Sequence, residues 1–197
     1  MQYIETIRNR KAQTKNELNH LINNQLSDKY NELFLINKLL SRNECKWIIA
    51  EAEEFASNNP GSWSMPSVQK DVVDTTSQQQ HPVRHFLENV IYSRLMHNYG
   101  RFYGVDHMHL GVSNIHLVKY DASQSTSTVQ PTNEHFGFTI ALNDDNDYEG
   151  GSIHFTNKNA KISIPSGSAI IYCCRSEYID HPVTSGVRYV IVGRLNL

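Results

Sequence analysis

The chain has 197 residues, 39% of them hydrophobic, which is long enough for one domain with a full core. Its 18 basic and 20 acidic residues give a net charge of -2, so the overall charge does not favour nucleic acid or an anionic membrane as a partner. The N-terminus lacks the apolar core of a signal peptide, and no later stretch reaches the roughly 18 apolar residues of a membrane span. We therefore expect a soluble, cytoplasmic protein.

Helical patterns occupy the first half of the chain. Residues 1-30 form a predicted helical arm, in which sparse apolar positions interrupt a polar stretch, and this arm is a candidate for oligomerisation. Ser41 and Glu44 have the spacing of a capping box, in which both side chains bind amides left free at a helix start, and this predicts a helix over 42-56. A further helix is predicted over 82-103, because apolar residues recur there at intervals of three and four.

After Asp106 the apolar period changes to two, which is typical of strands. Turn-forming clusters then separate a series of predicted strands, over residues 137-142, 151-155, 161-164, 168-174 and 187-195. Helices followed by many short antiparallel strands indicate an α+β chain whose functional part is a sandwich or barrel. We divide the chain into the arm at 1-30 and a single domain at 31-197.

Four blocks in the second half carry a more specific signal, and they occur in the order Phe138 to Asn143, Asp147 to Phe155, Pro165 to Tyr172, and Pro182 to Val190. Together they resemble the prolyl and lysyl hydroxylase branch of the 2-oxoglutarate/iron(II) dioxygenases. The resemblance implies a double-stranded β-helix, or jelly roll, packed against N-terminal helices. It extends more faintly back to the helix at 42-56.

In that family a His-x-Asp pair and a distal His hold the iron, and a later basic residue binds the far carboxylate of 2-oxoglutarate. The resemblance aligns Arg188 with the basic residue. It aligns Tyr178, which stands ten residues before Arg188 and four before Pro182, with the distal His. The His-x-Asp pair falls on Gln130 and Thr132. These three positions supply no imidazole and no carboxylate, so the resemblance implies loss of iron binding and of hydroxylase activity.

Part of the co-substrate pocket is expected to survive this loss. Tyr120 matches a family tyrosine that contacts 2-oxoglutarate, and its other interpretation is a core tyrosine with a satisfied hydroxyl. Arg188 either binds a dicarboxylate or pairs with an internal carboxylate. No cofactor is expected to be tightly bound, and the candidate ligand is 2-oxoglutarate or a similar dicarboxylate.

Two histidines keep an active enzyme open as the alternative. His135 and Gly137 have the form His-x-Gly of halogenating relatives, in which a halide replaces the carboxylate, and His181 would then be the distal ligand. On this alternative the chain binds Fe(II) and is an active hydroxylase or a halogenase-like enzyme. The standard positions instead predict a binding or scaffolding protein with a protein or peptide in the former substrate groove.

Overall fold

The computed structural model describes residues 32–58, 69–71, 83–103, 111–122, 127–129 and 136–196. Within these ranges the chain forms helices and antiparallel strands, which confirms the α+β prediction. The arm at 1-30 lies outside the described residues, as do Gln130, Thr132 and His135. The division into an arm and a domain therefore stays a prediction.

The first helix, α1 (Arg42–Asn58), begins at the predicted capping box. The backbone N–H of Ser41 donates to the Glu44 carboxylate at 2.7 Å, and the N–H of Glu44 donates to the Ser41 hydroxyl at 3.2 Å. The inward face of the helix buries Cys45, Ile48 and Ala52. The predicted helix over 42-56 is thus confirmed and runs two residues further.

The helix predicted over 82-103 is observed as three consecutive segments: α2 (Arg84–Val90), a π-helix (Ile91–Leu95) and α3 (Met96–Tyr103). The π-helical turn carries Arg94, whose guanidinium donates to the Glu44 carboxylate at 3.0 and 3.2 Å and to the Leu39 carbonyl at 2.9 Å. Such wide turns interrupt α-helices only locally. In the described part of the chain, none of the helices has the length and apolar character needed to cross a membrane.

Eleven strands are described: β1 (Phe34–Ile36), β2 (Gln69–Asp71), β3 (Gly111–Asp121), β4 (Ser127–Val129), β5 (Phe136–Ala141), β6 (Tyr148–Gly150), β7 (Ile153–Phe155), β8 (Ala160–Ile162), β9 (Ala169–Cys173), β10 (Tyr178–Asp180) and β11 (Val183–Asn196). The larger sheet has the order β1-β9-β5-β11-β3-β2, and β6 also pairs with β11. The smaller sheet has the order β4-β10-β7-β8. The five strands predicted after residue 136 are all present, and β11 begins four residues earlier than predicted.

The larger sheet is covered on both faces. One face packs against the helices, where Leu87 and Ile91 join Phe138 and Ile191 in a single core cluster. The other face meets the smaller sheet across a second cluster, which contains the following residues of the two sheets and their loops: Ala141, Ile153, Phe155, Ile164, Ile170 and Tyr172. Because both faces are buried, β5 and β9 are buried at every residue, and their sequences are apolar apart from Gly137, the buried polar Thr139 and the Tyr172 hydroxyl. The candidate site lies between the two sheets.

Candidate functional site

Arg188 is a buried cation on the inner face of the larger sheet. It is 4% exposed, and the alternation of β11 directs it away from the helix-facing Ile191. Its Cα partner on β3 is Tyr120, and the guanidinium carbon lies 5.3 Å from the centroid of the Tyr120 ring. Among the described residues, none of the ion pairs involves Arg188. A buried charge without a paired opposite charge is costly, so this guanidinium is suited to an anionic ligand.

Asp180 is the candidate internal partner for Arg188, because the charge of Arg188 acts on its carboxyl group. Burial raises the pKa of Asp180, and the positive charges of Arg188 and His181 act in the opposite direction. The two side chains therefore influence each other electrostatically, yet they do not approach within the 4.0 Å that defines an ion pair. The internal pairing considered for Arg188 is not formed among the described residues.

Tyr178 lies on β10 and reaches across the space between the sheets to Tyr172 on β9. The two hydroxyl oxygens are 3.2 Å apart, and the ring centroids are 5.2 Å apart in an edge-to-face arrangement. The Tyr178 ring also contacts Phe155, with 5.4 Å between centroids. Burial is the main cause that raises the pKa of both tyrosines, so both hydroxyls are neutral at physiological pH.

Two glycines make room for these side chains. Gly137 pairs with Tyr172 across β5 and β9, and a Cβ at Gly137 would lie 2.8 Å from the Tyr172 ring. Gly151 has a φ of +63°, and a Cβ there would lie 2.9 Å from Cδ of Arg188. The small residue of the His-x-Gly pattern is therefore required by the packing of an aromatic ring.

His181 stands on a different side of the smaller sheet from Tyr178. Its ring is stacked with that of His154, with centroids 6.1 Å apart and planes 14° apart. His154 lies between the buried residues Ile153 and Phe155 on β7, so strand alternation directs it to the outer face. The imidazole of His181 is thus associated with the outer face, while Tyr178 lies on the inner one.

Asp180 and Tyr172 belong to the site although no motif singles them out. Asp180 lies two residues from Tyr178 on the same strand, so a period of two from Tyr178 would have indicated it. Tyr172 stands inside one of the recognised blocks, but its contact with Tyr178 depends on the pairing of the two sheets. Electrostatic influences link Tyr120, Tyr172, Tyr178, Asp180 and Arg188 into one cluster.

The positions aligned with the iron ligands are only partly described. Tyr178 is the Cα partner of Val129 on β4, and Val129 directly precedes Gln130 in the sequence. Gln130, Thr132 and His135 themselves lie outside the described residues, so their assignments stay predictions. Among the residues that the structure does describe, no three or more His, Cys, Asp or Glu side chains converge on a common point suited to a metal ion.

Comparison with solved structures shows which proteins share this architecture. A viral collagen prolyl hydroxylase from Paramecium bursaria Chlorella virus-1, solved with 2-oxoglutarate, matches with a TM-score of 0.61 and 16% identity over 83% of this chain and 94% of that one. A prolyl hydroxylase from Trichoplax adhaerens, solved with a peptide of a hypoxia inducible factor, matches with a TM-score of 0.61 and 14% identity over 97% and 92%. The fold is that of the 2-oxoglutarate/iron(II) oxygenases.

A third prolyl hydroxylase-like structure of this oxygenase fold, a prolyl-4-hydroxylase from Pseudomonas putida, has a TM-score of 0.56 and 12% identity over 93% of this chain and 98% of that chain. At the level of sequence, a segment of 58 residues is 41% identical to a PKHD-type hydroxylase from Synechococcus sp. (strain CC9902). The match spans 28% of this chain and only 26% of that relative. No family model matches the chain.

These relatives confirm the predicted resemblance to the prolyl hydroxylase branch of the oxygenases, and they confirm an α+β fold with antiparallel sheets like theirs. Identities of 12–16% with the solved structures establish the fold alone. The substitution of the iron ligands and the ligand of Arg188 have to be argued from this chain's own residues.

Proposed function

We propose that this chain binds 2-oxoglutarate or a similar dicarboxylate through Arg188, in a prolyl hydroxylase-like pocket between its two sheets. The observation that carries the proposal is a guanidinium only 4% exposed that has no ion pair among the described residues. A carboxylate fits the two parallel donors of a guanidinium and would supply the missing negative charge. The viral relative of the same fold is solved with 2-oxoglutarate.

The first candidate for the wider function is binding without hydroxylation. The residues aligned with the iron ligands do not fit Fe(II): Tyr178 is a neutral phenol, Gln130 supplies an amide and Thr132 a hydroxyl. On this candidate the chain is a binding or scaffolding protein that takes a protein or peptide into its former substrate groove. The Trichoplax relative, which is solved with a peptide, supports that class of partner.

The second candidate is an active 2-oxoglutarate-dependent hydroxylase or halogenase-like enzyme. The comparisons favour it, because the relatives described above are hydroxylases by name. Iron bound there would supply the oxidising chemistry, and the predicted ligands are His135 and His181. This candidate requires His181 to leave the outer face, where it is stacked with His154, and to turn toward the inner face.

Metal content and co-substrate turnover separate the two candidates. The full chain is incubated with Fe(II) and 2-oxoglutarate, and bound iron and released succinate are measured. The first candidate predicts no stoichiometric iron and no succinate above a protein-free control, with 2-oxoglutarate still bound in calorimetry. Stoichiometric iron together with succinate release establishes the second candidate instead.

Arg188→Gln tests the shared part of the proposal, since it removes the guanidinium and keeps a polar side chain. Its matched control is Arg175→Gln, because Arg175 is exposed. We expect the Arg188 variant to lose dicarboxylate binding and the Arg175 variant to keep it. If the parent chain binds no dicarboxylate, or if Arg188→Gln binds as well as the parent, the proposal is wrong.

A further inference from the structure

The hydroxyl pair of Tyr172 and Tyr178 provides a second polar feature in the space that holds Arg188. Their oxygens are 3.2 Å apart, so they share one hydrogen bond. One such bond uses one phenolic proton, and the Thr139 hydroxyl also hydrogen-bonds with Tyr172, so a ligand carboxylate would have to compete with this neutral hydroxyl for the remaining proton. Since burial raises the pKa of both tyrosines, neither loses its proton at physiological pH.

Tyr178 and Arg188 both face the space between the two sheets, Tyr178 on β10 and Arg188 on β11. Asp180 and Tyr120 each lie close enough to both of them to affect their electrostatics. Tyr120 also lies against the Arg188 guanidinium, 5.3 Å from ring centroid to carbon. The site therefore offers a cation at Arg188 and a neutral hydrogen-bond donor in the phenol pair.

We infer that this site recognises dicarboxylates without a metal and without selecting the 2-oxo group: Arg188 binds one carboxylate, and the phenol pair of Tyr178 and Tyr172 donates to the other. The inference rests on the proposed function, because it assumes that Arg188 binds a dicarboxylate. Beyond that function, it names the second carboxylate, and not the 2-oxo group, as the feature of a ligand that determines its affinity.

The expected selectivity among ligands follows from the group that binds the carboxylate remote from Arg188, which is a phenol here and a metal ion in an iron site. A metal ion can bind a 2-oxo acid through its carboxylate and its oxo oxygen together, which makes the oxo group decisive. A phenol donates one hydrogen bond and cannot chelate, so the charged carboxylate is the better acceptor. The neutral oxo oxygen then adds no more than one ordinary hydrogen bond, which changes affinity by about tenfold at most.

Calorimetry with three ligands tests this selectivity on the full chain. 2-Oxoglutarate and glutarate differ only in the oxo group, and pentanoate lacks the second carboxylate of glutarate. Each is titrated in EDTA and again with Mn(II), a probe ion for an oxygen- and nitrogen-liganded iron site. We expect glutarate to bind within about tenfold of 2-oxoglutarate, pentanoate to bind more than about tenfold more weakly than glutarate, and Mn(II) to change none of these affinities.

Preference for 2-oxoglutarate over glutarate by more than about 100-fold, or binding that appears only with Mn(II), overturns the inference while the proposed function stands. Equal binding of pentanoate and glutarate also overturns it. Failure of every dicarboxylate to bind overturns the proposed function itself. None of these measurements needs a variant, so they remain decisive even if substitutions in the site prevent folding.

The double variant Tyr172→Phe/Tyr178→Phe tests the phenol pair directly, because it removes both hydroxyls and keeps both rings, which contact each other and Phe155. We expect glutarate affinity to fall by about tenfold, as for the loss of a hydrogen bond to a charged group. Tyr92→Phe is the matched control, since Tyr92 is 52% exposed on the π-helix. A double variant that melts like the parent and binds glutarate equally well contradicts the role of the phenol pair.

Discussion

Asp180 is the buried carboxyl group of the site. Because burial raises its pKa, the folded chain binds this proton more tightly than the unfolded chain does. The resulting contribution to stability is complete below the ordinary aspartate pKa of 3.8 and is lost as the pH rises through the raised value. We therefore expect Asp180→Asn to be more stable than the parent at pH 7, with a gain that vanishes in acid.

Urea unfolding at pH 7 and at pH 3.5 or below measures this difference. Glu149→Gln is the control, because Glu149 is exposed. Lower stability of Asp180→Asn at pH 7 would mean that Asp180 is the counter-charge of Arg188. The buried guanidinium would then need no anionic ligand to balance its charge.

Gly137 is fixed by the aromatic ring above it. A Cβ at this position would lie 2.8 Å from the Tyr172 ring, so Gly137→Ala should displace the ring and destabilise the fold by about 1 to 3 kcal/mol. The penalty should shrink in a Tyr172→Leu background, and urea unfolding of the four chains measures the coupling. An equal penalty in both backgrounds would locate the constraint elsewhere than in the ring.

For single residues, the sequence predicts which positions align with the family pattern. It predicts only some of the side-chain contacts that these residues make. The spacing to Pro182 and Arg188 aligns Tyr178 with the distal His, and this alignment stays a prediction; the structure shows that Tyr178 lies beside Tyr172. The contact with Tyr172 joins two sheets and has no local signature. The stacking of His181 with His154 likewise depends on how β10 pairs with β7.

At the scale of elements, the start of α1 depends on one carboxylate with two roles. Glu44 caps the helix and receives the Arg94 guanidinium. Hydrogen bonding to Arg94 is the largest cause that lowers the pKa of Glu44, from 4.5 to about 2. The stability that this carboxylate contributes is present above its ordinary pKa and is lost as the pH falls toward 2.

Glu44→Gln keeps an acceptor for the cap and removes the charge. We expect a loss of about 1 to 2 kcal/mol in the free energy of unfolding at pH 7, because a charge-assisted pair becomes a neutral one. The difference from the parent should disappear near pH 2, as measured by urea unfolding across the pH range. Glu54→Gln on the exposed face of the same helix should match the parent at every pH.

Capping chemistry made α1 predictable, since its signal lies within four residues. The π-helix of Ile91–Leu95 could not be predicted, because a single wide turn leaves apolar spacing almost unchanged. It nevertheless determines the position of Arg94 opposite Glu44. The early start of β11 at Val183 was missed for a similar reason: its first residues pair only with the short strand β6.

At the scale of the molecule, a ligand held between the sheets should stabilise the whole fold. A ligand that binds only the folded chain adds about 2.7 kcal/mol at a concentration of 100 times its Kd. We expect 2-oxoglutarate and glutarate to raise the melting temperature of the parent. The melting temperature of Arg188→Gln should not change when either ligand is added. Equal shifts in both chains would place the ligand away from Arg188.

The fold class was predictable because a period of two and four ordered blocks cover most of the strands. The order of the strands was not, since β1 pairs with β9, and Phe34 is thereby matched with Ile171 far along the chain. Such pairings are decided by the burial of both faces of the larger sheet. Periodicity within one strand carries no information about them.

The central position of β11 has a consequence for the way the domain is made. β11 pairs with β3, β5 and β6, all of which precede it in the chain. During synthesis β3, β5 and β6 leave the ribosome before β11. Until β11 follows, the backbone N–H and C=O groups that pair with it have no partner strand. Open strand edges invite pairing with other chains, so the nascent domain passes through a period in which it is prone to aggregation and suited to chaperone binding.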